Sequence, residues 1–577
     1  MSNTHAPNAE PHPSIFYPYK VYPVEPLPSQ IDSNTRQEVL IVGAGPVGLA
    51  TALDLARFGV ASRIIEAERQ VSHGSRAIVL TRRSMQILQM LGCDQAFVEK
   101  GLSWSMGRSY YRGQEVYQMQ MPHSEHERFG PGTNIQQQYI EQFLVEAAEK
   151  NPLIHIHWGH KVTGIQQSDS EATLTICDED GEQEYRAPWV VAADGGRSTL
   201  RKLLKLRMEG EAYTGNFVIA DIKADIKLPT ERLCYFDPPW SPGNNVLVHR
   251  EPEGIWRLDF RLPEGESPEH ALKEEQLAER IHNILTMIGQ EVPWQLDWAT
   301  VYSASTKTLS DYQKQRVLFA GDAAHLLPIF GVRGANTGLQ DANNLAWKLA
   351  LHLQGIAGPE LLRSYSTERV QAAREICEEA GKSTRFMSPP TRGARLLRDA
   401  VLSLSLTESF VRDLLHWRTS RPHRYYNSPL NSSTHTGHPL LGEVAPNVKL
   451  GDNQYLHDHM LAGFTVLIFL SEEKSEPELS QVCALQELEN VSIHPILITG
   501  THCEPGGLHH GSHIADQEGA LFEHYDIREN SLLLIRPDQH ISGIWQASDN
   551  EESPLQWIHQ AIRNTLCLTP CGDQHVE

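Results

Sequence analysis

The sequence predicts an α/β fold in three parts: a domain of alternating strands and helices, a β-sheet inserted into it, and a separate C-terminal unit. Three observations predict it. An apolar run, Val39-Leu40-Ile41-Val42, enters a glycine-rich turn and a helical pattern, and two later apolar runs end in the same way at Asp194 and at Gly321-Asp322. Between those two, residues 211–305 switch to short strand-like runs broken by turn residues. Beyond a linker-like stretch, strand and helix patterns resume near 444. Alternating strands and helices specify parallel pairing, whereas short runs bounded by turn residues specify antiparallel sheet.

Residues 1–37 are rich in Pro, Tyr and polar side chains, so an irregular arm is expected, lying on the surface or across a neighbouring molecule. The first strand leads into Gly43-Ala44-Gly45-Pro46-Val47-Gly48, a helix from Pro46 to Arg57, a stop at Gly59 and a second strand ending at Glu66. Gly43 permits the tight turn, Gly45 lets the backbone approach a pyrophosphate, and Gly48 lets the helix pack close to the strand. Pro46 opens the helix, whose free N–H groups and partial positive charge suit a phosphate. Glu66 follows Gly43 by 23 residues, where an acid can accept hydrogen bonds from a ribose diol. The stretch reads as a Rossmann-like dinucleotide site. An ordinary strand–turn–helix without a ligand is the alternative, and the strand, helix and acid in one order argue against it.

From 38 to about 210 strands and helices alternate, with 155–158 and 172–176 expected as antiparallel strands. The inserted sheet, 211–305, has expected strands at 216–221, 232–236, 245–249 and 255–262. Alternation in Trp256-Arg257-Leu258-Asp259-Phe260 puts Arg257 and Asp259 on one face, toward a substrate or toward solvent. The first domain resumes over 306–390 with a buried strand at 316–320, a loop with four glycines and a helix from about Asn336. Residues 391–443 read as helices and a linker, and 444–577 as a third domain with strands at 464–470, 492–498 and 532–536.

Bulk properties exclude several function classes. At 577 residues, 40% hydrophobic and 21% charged, the chain has the composition of a globular protein of two to four domains. A net charge of -22 argues against nucleic acid as a partner, though a local cluster of arginines could still hold a small anion. The N-terminus has neither a basic start nor an apolar core, and no apolar run approaches the ~18 residues of a membrane span. The eight cysteines form no CxxC pair, which fits a reduced cytosolic setting. His509 and His513 have HxxxH spacing but sit among glycines, so no metal site is expected.

The second and third glycine motifs add chemistry. Asp194-Gly195-Gly196 leads into a helix start carrying Arg197 and Arg201. At the third, Asp322 can bind a ribose or ribitol hydroxyl, and Gly331, Gly334 and Gly338 let backbone N–H groups approach a ligand. The helix near Asn336 aims its positive end at that ligand, which suits negative charge on it.

With GAGPVG, DGGRS and GDAAH…P…G..GANTG..DA.NLAWKL in this order, the chain resembles the class A flavoprotein monooxygenases over about residues 36–390. These are the aromatic hydroxylases of the para-hydroxybenzoate hydroxylase and phenol hydroxylase type. The resemblance implies non-covalent FAD. Gly43, Gly45, Pro46 and Gly48 would face the pyrophosphate with Arg76, and Glu66 would face the adenosine ribose. Gln137 and Asp322, beside Gly321, would hold the ribityl region. Pro328 and the Gly334-Ala335-Asn336 backbone would border the isoalloxazine, and Asp194 joins this set from the second motif. A surface role for Arg76 and a helix-start role for Gln137 stay open, as does a slip to Gln136 or Gln138. Two departures stand out: Gly331-Val332-Arg333-Gly334 replaces Gly-Gly-Gln-Gly, and Ile329 replaces a second proline. Arg333 would bring a permanent cation beside the flavin, or lie solvated on the loop. Residues 444–577 resemble the thioredoxin-like tail of the phenol hydroxylase branch, on Ala445-Pro446-Asn447 and the 532–538 strand–turn. Without CxxC, a structural or dimer-supporting role is implied.

The implied reaction is hydroxylation of a phenolic substrate by O2 through a C4a-hydroperoxyflavin. NAD(P)H docks transiently as the reductant, since there is no second GxGxxG. Tyr235, His249, Arg257 and Asp259 are the candidates to assist phenol deprotonation. His325 is read as a support of the third motif. A homodimer is expected. The alternatives are a hydroxylase of a larger polycyclic or antibiotic substrate, a flavin oxidase or dehydrogenase, and a non-enzymatic flavin-holding assembly protein.

Overall fold

A run of four apolar residues can be buried on both faces, and in the computed structural model Val39–Val42 forms the middle of a sheet. The structure describes residues 7–28, 39–328, 330–415, 421–432, 437–470, 490–500, 513–516, 518–546 and 554–568. Ile329 and His509 lie outside the described residues.

The first domain runs β1 (Val39–Val42), α1 (Pro46–Arg57), β2 (Ser62–Glu66), α2 (Arg82–Met90), α3 (Gln137–Glu149), β3 (Ile154–Trp158) and β4 (Val190–Ala192). The chain then enters a second sheet through β5 (Glu209–Ala224), β6 (Arg232–Phe236), β7 (Asn245–Arg250), β8 (Ile255–Arg261), α4 (Glu274–Met287) and β9 (Trp294–Thr308). It returns at β10 (Val317–Phe319) and continues as α5 (Gly334–Leu353), α6 (Pro359–Met387) and α7 (Arg392–Leu404).

The first sheet has the order Gln313–Lys314, β10, β4, β1, β2, β3, and only the first pairing is antiparallel. The expectation of an antiparallel strand at 155–158 is corrected here: β3 pairs parallel with β2, Ile64 opposite Ile156. Helix α3 precedes it, and a helix crossover returns the chain in the parallel sense. On this edge strand His155 is exposed, whereas His157 is buried and meets Arg63.

The second sheet is larger than the inserted segment. Its order is His325–Leu326, β9, β5, β8, β7, β6, then the hairpin Met106–Tyr111 and Gln114–Gln120, which comes from before the insertion. One face, including Val218, Val248, Trp256, Leu258 and Phe260, packs on Leu277, Ile281 and Ile284 of α4. The other face turns toward the first domain and carries Arg257 and Asp259, as the two-residue period requires.

The third unit contains β11 (Phe464–Phe469), β12 (Ile493–Thr499), β13 (His513–Ala515), α8 (Ala520–Tyr525), β14 (Ser531–Ile535), β15 (Ile541–Gln546) and α9 (Pro554–Thr565). Its sheet order is β13, β12, β11, β14, β15; the first two pairings are parallel and the last two antiparallel. Phe464, Val466, Trp545 and Ile562 pack directly on Trp347, Leu351 and Leu361 of α5 and α6. The stretch with linker composition is not a free tether among its described residues. Tyr425 and Leu430 are buried in it, Tyr425 N–H donates to Gly442 O, and Gly442 N–H to Ile541 O.

The described arm lies on its own chain. Tyr17, Tyr19 and Tyr22 are buried, Tyr22 stacks on Trp158 of β3 at 4.3 Å and 9°, and Tyr19 Oη bonds both Ser72 O and Gly74 N. Ser14 and Ile15 both donate to Asp297, tying the arm to β9. Among the described residues no helix is long and apolar enough to cross a membrane.

Candidate active site

Three strand ends meet at one cleft, and glycines let them meet. A Cβ at Gly43, where φ is 107°, would lie 2.5 Å from Ala193 O and 3.1 Å from Asp194 Cα, so the ends of β1 and β4 touch. A Cβ at Gly48 would lie 2.0 Å from Gly43 O. Cβ atoms at Gly321 and Gly338 would both crowd Val47, at 2.9 and 2.6 Å, so the third motif closes on the first. Gly45 differs: a Cβ there meets nothing within 4 Å, leaving its backbone open on the cleft side.

Asp322 marks the floor of this cleft. A methyl group at Gly196 or at Gly334 would come to 3.9 Å from its two carboxylate oxygens, so it stands between the second and third motifs. It is solvent-exposed, yet protein surrounds it closely enough that desolvation raises its pKa, against the pull of His325, Arg76 and Arg201. The cleft also receives the start of α5 at Gly334, and its glycine-lined floor and carboxylate fit an extended dinucleotide.

The other expected cofactor residues fall around it in differing roles. Glu66 accepts from Ala44 N–H at 2.7 Å and Glu68 N–H at 2.9 Å, which braces the turn beside the cleft; burial raises its pKa and these backbone donors oppose the rise. Asp194 accepts from Thr199 N–H at 2.6 Å and Leu200 N–H at 3.1 Å, so its carboxylate caps a short helix while its backbone meets Gly43. Arg76 is exposed. Gln137 Oε1 accepts from Arg76 N–H and Ala77 N–H, both at 3.2 Å, and its amide donates to Glu141 at 2.7 Å. Gln136 and Gln138 are buried, and Gln136 donates to Pro252 O. Pro328 is buried, and Ala335 is half-buried in the first turn of α5. Asn336 is a clip: its Oδ1 accepts from Thr81 N–H at 2.8 Å and Ser84 Oγ at 2.6 Å, and its amide donates to Val79 O and Val332 O.

The two departures are both structured. Val332 holds φ at 52°, a left-handed conformation that a β-branched residue rarely adopts, and packs beside Ile78, Val79, Trp104 and Met121. Arg333 is 5% exposed, so it is not a solvated loop residue. It acts electrostatically on Cys377 of α6, whose thiol burial pushes up to about 11. His325 is the motif support expected of it, with Nε2 2.6 Å from Asp341 Oδ2 in full burial.

The polar face of the second sheet is buried. Arg257 donates to both oxygens of Asp221, at 2.8 and 2.7 Å, and also to the backbone carbonyls of Ser75 and Arg76. It therefore braces the sheet against the segment that carries Arg76. Asp259 Oδ2 lies 3.9 Å from His249 Nε2. Burial raises the Asp259 pKa to about 7, against Arg257, and holds His249 well below its ordinary value, with Arg232 and Arg257 adding to the effect. Asp259 Oδ1, His249 Nδ1 and Tyr302 Oη are buried with no hydrogen-bond partner among the described residues. Tyr235 is corrected: it lies on the opposite face, stacked on Tyr110 at 4.8 Å and 11°, because Arg232, Cys234 and Phe236 take the inner side of β6. Sequence reasoning missed Arg232, Asp221, Tyr302 and Glu251, the last buried with its carboxylate 3.5 Å from Arg257. Period-two alternation along β6 could have found Arg232, but the others needed the strand register. Among the described residues no cluster of His, Cys, Asp and Glu could hold a metal ion.

Comparison with known proteins follows the same lines. The family described as FAD binding domain matches residues 36–380. The 3-(3-hydroxy-phenyl)propionate/3-hydroxycinnamic acid hydroxylase of Shigella sonnei is 27% identical over 528 residues, covering 88% of this chain and 92% of its own. Its counterpart from Mycolicibacterium smegmatis is 28% identical over 517 residues, covering 88% and 90%. Among solved structures, the flavin-dependent monooxygenase PieE with FAD and substrate superposes with a TM-score of 0.77 at 21% identity, covering 92% of this chain and 99% of its own. Aklavinone-11 hydroxylase with FAD and aklavinone gives 0.73 at 23%, covering 92% and 99%. At these identities the two structures speak for the fold.

Proposed function

The chain belongs to the family built on the FAD binding domain, and from that premise we propose that it is a flavoprotein monooxygenase hydroxylating a phenolic compound. The observation that carries this reading is the meeting of three glycine-bearing strand ends around Asp322, with Arg76 acting on Asp322 and the Arg76 segment bonded to Arg257 of the second sheet. The hydroxylases of Shigella sonnei and Mycolicibacterium smegmatis, similar over most of their length, act by name on phenolic acids, which supports the substrate class.

Bound FAD would supply the acceptance of hydride from NAD(P)H and the activation of O2. The chain supplies placement. Gly43, Gly45, Pro46 and Gly48 would hold the pyrophosphate at the start of α1, and Glu66 the adenosine ribose. Asp322 and Gly321 would hold the ribityl chain, with Gln137 fixing the Arg76 segment alongside. Pro328 and the Gly334-Ala335-Asn336 backbone would border the ring system. The positive end of α5 would stabilise negative charge on the ring. Asp194 acts by capping its helix and keeping that motif against Gly43.

Above the ring, Asp259 would take the phenolic proton. Its pKa of about 7 lets it be protonated or ionised near neutrality, with the imidazole of His249, kept neutral by burial, 3.9 Å away. Arg257, spent on Asp221 and two backbone carbonyls, holds the sheet in place. The third unit is thioredoxin-like, its β12, β11, β14, β15 order having one parallel and two antiparallel pairings. Homodimer formation belongs to the same proposal.

The test is direct. Purified protein should carry FAD, and a phenolic acid such as 3-(3-hydroxyphenyl)propionate should accelerate its NAD(P)H oxidation. Labelled O2 should leave one labelled oxygen in the product. A panel running from simple phenols to polycyclic phenols that binds without accelerating NAD(P)H oxidation would end the hydroxylase reading.

A further inference from the structure

One turn of the third unit reaches deep into the first domain. It joins β14 to β15, and its Arg536, Asp538, Gln539 and His540 are all buried. Arg536 grips Glu368 of α6 with two N–H groups, at 2.6 and 3.0 Å, and Asp538 with two contacts at 3.0 and 2.5 Å. Glu368 also accepts from Lys348 and from Asn344 of α5, both at 2.7 Å. From the other side Arg83 of α2 donates to Gln539 Oε1 and to Asp538 O, both at 2.7 Å. The turn is thus bonded to α2, α5 and α6 together. Two cations, Lys348 and Arg536, face two carboxylates, Glu368 and Asp538, and Arg83 adds a third buried cation whose hydrogen bonds go to oxygen atoms of the turn and of Asn343.

The sequence neighbours of the gripped residues hold the cofactor loop. Arg369, next to Glu368 on α6, donates to Asp341 Oδ1 at 2.6 Å and to Thr337 O at 3.2 Å. Asp341 Oδ2 accepts from Gly321 N–H at 2.9 Å and meets His325 Nε2 at 2.6 Å. Ser84, next to Arg83 on α2, donates to Asn336 in the first turn of α5. Adjacent residues on a helix point about 100° apart. Each helix therefore faces the turn with one residue and the loop with the next, and cannot shift toward one without moving the other.

We infer that Arg536 and Asp538 of the third unit are positioning residues of the cofactor site. Through Glu368–Arg369–Asp341 on one side and Arg83–Ser84–Asn336 on the other, they fix the Gly321-Asp322 loop and the start of α5. The inference rests on the cofactor assignment made above, and the experiment separates the two.

The test uses full-length, FAD-loaded protein. Arg536→Lys keeps the charge and loses the planar fork. Leu521→Ala weakens the same unit elsewhere, since Leu521 is wholly buried in the core of the third unit. Arg536→Lys should release FAD ~10-fold faster and divert more NAD(P)H oxidation to hydrogen peroxide, with a fall in Tm no larger than that of Leu521→Ala. Leu521→Ala should release FAD at the wild-type rate. Equal release rates for the two variants, or release that merely follows Tm, would overturn the inference. Should Arg536→Lys not fold, Arg83→Lys grips the same turn from the other side and is judged by the same outcomes. If Asp322→Ala releases FAD no faster than wild type, the cofactor assignment fails. If it does release faster and Arg536→Lys does not, this inference alone fails.

Discussion

Asp259 is a carboxylate that burial pushes up to about 7 while Arg257 pulls it down. Catalysis and stability then depend on pH in opposite directions. If the ionised form takes the phenolic proton, kcat should rise as pH passes through about 7. The folded protein holds this proton more tightly than the unfolded chain, whose ordinary value is 3.8. Its contribution to stability is therefore complete below the unfolded value and lost as pH rises through the folded one. Asp259→Asn should lower kcat by about 100-fold, flatten the kcat profile near neutrality, and remove that part of the stability slope. A variant that kept the wild-type kcat profile would take Asp259 out of the mechanism. At this scale the sequence was partly legible. Arg257 and Asp259 could be put on one face by alternation alone, but their separate fates depend on partners from distant segments: Asp221, opposite Arg257 in register, with the carbonyls of Ser75 and Arg76 from the first domain for one, and His249 of the neighbouring strand, 3.9 Å away, for the other. Tyr235 was misplaced because aromatic character says nothing about which face of a strand it takes.

Helices and strands with strong local signals were readable to the residue. Helix α1 runs from Pro46 to Arg57 as its proline start and glycine stop require, and β2 ends at Glu66. The hairpin 106–120 was invisible as part of the second sheet because its partner, β6, lies more than a hundred residues on, and no local pattern encodes a parallel pairing at that distance. The loop before α5 shows a local preference overridden. A β-branched residue at φ 52° carries strain of about 1–3 kcal/mol, yet Val332 is held there by the cluster around Trp104 and by the bond from Asn336. Val332→Gly removes that strain together with a partly buried side chain worth about 1–2 kcal/mol, so the two should nearly cancel. We expect a change in unfolding free energy below about 1 kcal/mol by denaturant titration, where truncating an unstrained buried aliphatic residue costs about 2–5 kcal/mol. A loss in that larger range would mean that the left-handed conformation carries no strain.

Across the whole molecule, the three parts share their interior. The third unit packs Phe464, Val466 and Trp545 on Trp347 and Leu351 of α5, and seals the contact with the Arg536–Glu368–Lys348 group. Composition marks a boundary near 443, and the chain does start a new sheet beyond it. A boundary in sequence is still not a boundary in energy. Domains joined by a small polar interface move and melt apart, whereas those joined by a large apolar one do not. Removing the third unit from its place would expose that apolar surface to water and break the buried Arg536–Glu368 pair, leaving Glu368 paired with Lys348. Neither part then has a stable state without the other. Denaturant unfolding of the FAD-loaded chain should be one transition, with far-ultraviolet circular dichroism, tryptophan emission and flavin release sharing a midpoint. The tryptophans suit the purpose, since Trp347 and Trp545 face each other's domains across the contact while Trp256 reports from the second sheet. Two separated midpoints, with flavin still bound after the Trp347 and Trp545 signals have moved, would show that the third unit folds and melts on its own.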